Sequence, residues 1–156
     1  MTRENPVLNM LRAHSFTLGL DETYLKMLVP LAEVRAYNAG ERIITAGEPA
    51  QACFLVRDGR VSVEVRQENG NVTVLQYLTG SHVLGWSWLV EPHRWCFDAT
   101  AQALTRVIVL DAAALREQMA ADHEFGYWMY RRFTEVCAER LQATRVQLLE
   151  ALPSPA

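Results

Sequence analysis

The residues that could do chemistry gather in one stretch. Between Gly85 and Asp98 the chain reads Gly85-Trp86-Ser87-Trp88-Leu89-Val90-Glu91-Pro92-His93-Arg94-Trp95-Cys96-Phe97-Asp98. Trp86, Trp88, Trp95 and Phe97 form an aromatic cluster, with Arg94 among them. Flat rings beside a guanidinium suit three tasks. They can stack on a heterocycle while the cation meets an anion, dock a protein partner, or fill space as core. All three readings stay open at this point.

Groupings for catalysis are absent from the sequence. His14, His82, His93 and His123 are scattered, no Ser/His/Asp order marks a nucleophile, and no paired carboxylates mark a cleft. His82 and His93, the latter within this stretch, are the two that could touch an anion there. Neither GxxxxGK[ST] nor GxGxxG occurs, so the common phosphate loops have no support. Cys53, Cys96 and Cys137 are far apart, with no CxxC and no Cys/His cluster. They read as reduced thiols in a cytoplasmic protein, with no metal site and no disulfide framework. The expectation is a binding protein and not an enzyme.

Those residues need a scaffold. The 156 residues are 50% hydrophobic and 21% charged, which fits a single folded domain over 1–156 with one core. The net charge of −3 offers no basic field for a polyanion, so nucleic-acid binding is not expected. No apolar run approaches the ~18 residues of a membrane span, and MTRENPVLNM has no signal-type core. A cytoplasmic location without membrane attachment follows as an expectation.

Three zones divide the chain. Residues 1–33 read as short helices, with Asp21 placed to cap one and Pro30 limiting it. Residues 34–111 read as strands punctuated by Gly40, Gly47, Gly59, Gly70 and Gly80. Strand runs fall at 42–44, 53–56, 61–65, 72–78 and about 96–110. The 61–65 run alternates strictly, and the Asn-Gly at 69–70 signals a hairpin. Residues 112–152 read as helices capped by Asp111 and Asp122, the second about 28 residues long and roughly 42 Å. Helices, then strands, then helices predict an α+β fold: an antiparallel β-roll or jelly roll with N-terminal helices and a long C-terminal helix.

The glycine-punctuated pattern around Tyr37, Gly40-Glu41, Ile43-Ile44, Gly47-Glu48, Phe54-Leu55-Val56, Gly59, Val61 and Val63 resembles the cyclic-nucleotide-binding domain of Crp/Fnr regulators, gated channels and kinase regulatory subunits. The match continues through Leu78, Gly80, Gly85, Leu89 and Pro92 into the Val-Ile-Val-Leu-Asp run. The resemblance implies a short helix at Trp86 to Trp88 whose N-terminus meets a cyclic phosphate. It also implies a Gly-Glu that holds the ribose and an Arg that pairs with the phosphate. This chain departs from that pattern. Gly85 matches, but the Glu position is Trp86, the Arg position is Trp95, and the following Ser/Thr position is Asp98. Arg94 stands one residue early, which in extended chain puts it on the opposite face. Losing two contacts to charged groups weakens cAMP or cGMP binding by about a hundredfold or more. The expected ligand set is therefore Gly85, Trp86, Ser87, Trp88, Leu89, Arg94, Trp95 and Phe97. Its ligand would be a non-standard nucleotide, NADPH among the candidates, or another anion. The alternatives are an interaction module with a plugged pocket and an ordinary cyclic-nucleotide sensor.

Gly-Trp-Ser-Trp-Leu followed by Arg-Trp-Cys-Phe-Asp-Ala-Thr is similar to stand-alone members of the family without a DNA-binding domain. Some of these are accessory subunits of soluble NAD-linked hydrogenases. The resemblance thus implies a place in a larger redox complex. After residue 152 there is no room for a helix-turn-helix, so direct DNA binding is not expected. The long helix carries Tyr130, Cys137 and Thr144 at one heptad position and Thr134, Leu141 and Leu148 at another. In the family the matching helix forms a homodimer; packing on its own roll is the alternative.

Overall fold

In the computed structural model, which describes residues 5–153, Asn5 starts the first helix: its side chain accepts the Val7 N–H at 2.9 Å, and Pro6 fits the first turn. This helix, α1, spans Pro6–Ala13. Asp21 caps α2 (Glu22–Leu28) by accepting the Thr23 N–H at 2.8 Å, and Pro30 lies in the 3₁₀ turn that ends the helical run.

Eight strands follow: β1 (Ala32–Tyr37), β2 (Arg42–Ile44), β3 (Ala52–Asp58), β4 (Arg60–Arg66), β5 (Val72–Thr79), β6 (Val83–Leu84), β7 (Asp98–Ala101) and β8 (Thr105–Asp111). They form two antiparallel four-stranded sheets, ordered β1-β8-β3-β6 and β2-β7-β4-β5. This is the antiparallel β-roll that the glycine spacing predicts. Three boundaries differ from the sequence reading. The roll begins at Ala32, because β1 pairs with β8 from Ala32↔Leu110 to Tyr37↔Thr105. The run at 96–110 is two strands, broken at residues 102–104. The short strand β6 also joins the sheet, opposite Phe54 and Leu55.

The two sheets bury different patterns. In β3 and β8, residues 53–56 and 107–110 are all buried, since helices cover the outer side of that sheet. In β4 and β7 the faces alternate. Val61, Ala99 and Ala101 point into the roll, while Ser62, Glu64 and Thr100 share hydrogen bonds on the other side.

Asp111 caps α3 (Ala112–Ala121), accepting the Ala114 N–H at 3.1 Å. Asp122 caps α4 (His123–Ala151) through the Glu124 and Phe125 amides. At Gly126 the two helices touch closely: a Cβ there would lie 2.7 Å from the Met119 carbonyl oxygen. Phe125, Met129, Phe133 and Val136 form the buried stripe of α4. Beyond Val136 no residue of the helix is buried, so its second half lies against the roll without entering the core.

Candidate functional site

The loop between β6 and β7 is built around rings. Trp88 is fully buried and meets Phe133 of α4 edge-on at 5.2 Å. Its carbonyl accepts from Arg116 of α3 at 2.6 Å. The helix expected at Trp86 to Trp88 is not formed. One turn closes, with the Leu89 N–H on the Trp86 carbonyl at 2.9 Å. The chain then runs into Pro92, which cannot donate to a helix and disfavours helical backbone at Glu91. No row of free helical amides points at a phosphate here.

Trp95 fills the space behind that turn. It is 6% exposed and packs on Phe54 and Phe97, with ring centroids 6.2 and 6.0 Å away. Gly85 makes room for it. Its φ is +82°, and a Cβ there would sit 2.5 Å from the Trp95 ring. Main-chain bonds to residues 47–50 hold the return strand. The Gly47 N–H donates to Trp95, the Trp95 N–H to Glu48, and the Ala50 N–H to His93, all within 2.7–3.0 Å. Arg94 belongs to this latch: its guanidinium donates to the Gly47 carbonyl at 2.8 Å and turns away from the rings. Asp98 is buried but its carboxylate is also taken up by backbone and cation partners. It accepts the Ala46 N–H at 2.8 Å and lies 3.4 Å from Arg42, so its charge is paired with that guanidinium.

A cleft remains where the roll meets α4. Val63, Leu75, Gln76, Trp86 and Phe97 line one wall, and Arg140, Ala143, Thr144 and Gln147 the other, around a cavity of about 100 Å³. The four helix residues are spaced i, i+3, i+4 and i+7, one face of α4. Gln147 donates to the Leu75 carbonyl at 2.7 Å and ties the helix to β5. Thr144 donates to the Arg140 carbonyl. The Arg140 guanidinium lies 5.6 Å from the Trp86 ring centroid. Among the described residues it has no hydrogen bond and no ion pair. Burial pushes its pKa down to about 10, against weak opposing pulls from Cys137, Glu139 and Cys53. It therefore stays charged at neutral pH without a counter-ion.

Of the residues singled out in the sequence, Trp86 and Phe97 line this cleft, and Gly85 and Trp95 pack directly behind Phe97. Ser87 and Trp88 are buried, Leu89 lines a separate hollow with Arg116 and Tyr130, and Arg94 is on the latch. His82 is tied to the Thr79 backbone beside a neighbouring polar hollow, and His93 lines the hollow of Leu89. On α4, Tyr130, Thr134, Leu141 and Leu148 are exposed and Cys137 is half-buried. Thr144 lies at the cleft. Arg140, Gln76 and Gln147 escaped the sequence reading. Their only signal is a shared helix face or strand, which does not show whether that face turns inward.

Comparison with known proteins bears on the fold. The model of the "Cyclic nucleotide-binding domain" family matches residues 34–122. A cyclic nucleotide-binding domain from Methylobacillus flagellatus superposes with a TM-score of 0.79 at 15% identity, covering 96% of this chain and 84% of that one. The catabolite activator protein of Thermus thermophilus gives 0.68 at 20% identity, over 85% of this chain and 61% of that chain. FixK2 from Bradyrhizobium japonicum gives 0.64 at 20% identity, over 76% and 56%. A curated protein, "Glutaminase 2" of Bradyrhizobium diazoefficiens, is 43% identical over 47 residues. That stretch is 30% of this chain and 8% of the glutaminase.

Proposed function

The chain belongs to the cyclic nucleotide-binding domain family, and from that premise we propose that it is a non-catalytic regulatory domain whose ligand is something other than a cyclic nucleotide in the family's usual pose. The ligand lies in the cleft between Trp86, Phe97 and α4. It joins a flat or apolar body to an anionic group, as a non-standard nucleotide does. NADPH is one candidate, and an accessory role in a redox complex is the setting the sequence resemblance suggests. One observation carries the reading: Trp95, which stands at the position the resemblance gives to the phosphate-binding arginine, has its ring buried against Phe54 and Phe97. Displacing that ring forfeits its contacts with Phe54 and Phe97 before any phosphate contact is made.

Calorimetric titration with cAMP, cGMP, NADH and NADPH tests this. The expected result is weak or absent binding of the two cyclic nucleotides. Tight cAMP binding, with affinity retained after Trp86→Ala, would end the proposal. A homodimer through the outer face of α4 is the second part of the reading. It is supported by the exposure of Leu141 (52%) and Leu148 (60%) on a half-helix that has no fully buried residue beyond Val136.

A further inference from the structure

We infer that Arg140 of α4, and no residue of the 85–98 loop, supplies the positive charge that captures the ligand's anionic group, so that the ligand's charge is read by the long helix. The inference rests on the cleft proposed above as the ligand site. Three observations lead to it. Two cations around the 85–98 loop are already engaged: Arg94 on the Gly47 carbonyl and Arg116 on the Trp88 carbonyl. Arg132 is likewise held by the Phe16 carbonyl and Glu135. Arg140 alone among these faces both the aromatic cleft and the adjoining polar hollow with its donors unused.

A half-buried guanidinium without an acceptor is costly, and the face of Trp86 compensates only in part. A carboxylate or phosphate entering the cleft would find a planar fork that matches its oxygens two at a time. Burial lowers the pKa of Arg140, and the pulls of Cys137, Glu139 and Cys53 do not offset it. Glu139 lines the polar hollow beside Arg140. Its carboxylate opposes an anion there and favours entry from the aromatic side. The cleft therefore selects a monoanionic or dianionic group on a flat or apolar body: Trp86 and Phe97 take the body, and Arg140, Thr144 and Gln147 take the polar edge.

Inorganic phosphate, added at constant ionic strength with chloride as control, is the first probe. The side-chain Nε–H resonance of Arg140 and the melting temperature are the readouts. In the wild type, phosphate shifts the Arg140 resonance and raises the melting temperature. Arg140→Met removes the stabilisation, Arg140→Lys keeps part of it, and Arg94→Ala leaves it unchanged. The second probe is the nucleotide panel used above. Any member that binds wild type loses at least about tenfold in affinity in Arg140→Met. If no nucleotide binds while phosphate still depends on Arg140, the nucleotide reading fails and this inference stands. An unmoved Arg140 resonance, or equal responses in wild type and Arg140→Met, overturns the inference.

Discussion

Gly85→Ala, alone and combined with Trp95→Leu, tests whether the tryptophan ring packs over Gly85 and fills the loop. Alanine at position 85 meets two obstacles. At φ +82° any Cβ is strained, by about 1–2 kcal/mol. The new methyl also lands 2.5 Å from the Trp95 ring and 3.3 Å from Phe97. Both rings are buried, so neither swings into solvent, and overpacking of this kind costs about 1–3 kcal/mol more. The single variant should therefore lose about 2–5 kcal/mol, a drop in melting temperature on the order of 10 °C for a domain of this size. Trp95→Leu alone removes a large buried ring and costs about 3 kcal/mol. In the double variant the clash with the indole is gone and the methyl keeps only its 3.3 Å approach to Phe97, so mainly the backbone strain adds to the loss of the ring. The two changes should be less harmful together than their separate costs predict, with a coupling of about 1–3 kcal/mol. Urea unfolding of the four proteins measures it. Additivity to within ~0.5 kcal/mol would refute the packing of Trp95 over Gly85, and with it the view of the loop as filled.

Two other perturbations follow from the same coordinates. His14 is buried, with Nε2 on the Val56 carbonyl at 2.8 Å and Nδ1 accepting the Phe16 N–H at 3.1 Å, an arrangement only the neutral ring satisfies. Burial foremost, with His82 and Arg132 adding to it, lowers its pKa despite the Val56 carbonyl. The unfolded chain therefore takes the proton first. Stability is intact above the unfolded value near 6.5 and falls below it, by at most about 1.4 kcal/mol per pH unit. Urea midpoints at about pH 7.5 and about 5.5 should diverge in wild type and converge in His14→Gln; parallel behaviour removes His14 as the titrating group. On α4, Leu141→Glu places a charge on the proposed dimer face without touching the buried stripe. Light scattering should show a monomer with unchanged helicity, and a persistent dimer would move the interface elsewhere.

The legible parts of this fold are those where one residue type has one local use. Asp21, Asp111 and Asp122 each cap the helix their position announces, because a carboxylate before a helical run satisfies free amides. The strict alternation of Val61, Val63 and Val65 appears as β4, because one of its faces meets the core. β1 left no such trace: the four residues between its ends are exposed and none is buried, so the pairing with β8, and not hydrophobicity, makes it a strand. The turn at Trp86–Leu89 was misleading for a similar reason. The family pattern predicts a helix, but Trp88 is drawn against Phe133, a residue remote in sequence. Arg140 was illegible because its importance lies in lacking a partner. A sequence lists charges, whereas the absence of a counter-charge exists only in three dimensions.

The hydrogen-bonded seam between residues 47–50 and 93–95 bears on rates as well as shape. The amides of Gly47, Ala50 and Trp95 and the side chain of Arg94 form one contiguous zipper. If these bonds open together, a molecule that needs the volume of the indole waits for that opening. Its uptake would then level off at a speed set by the protein, however much of the molecule is supplied.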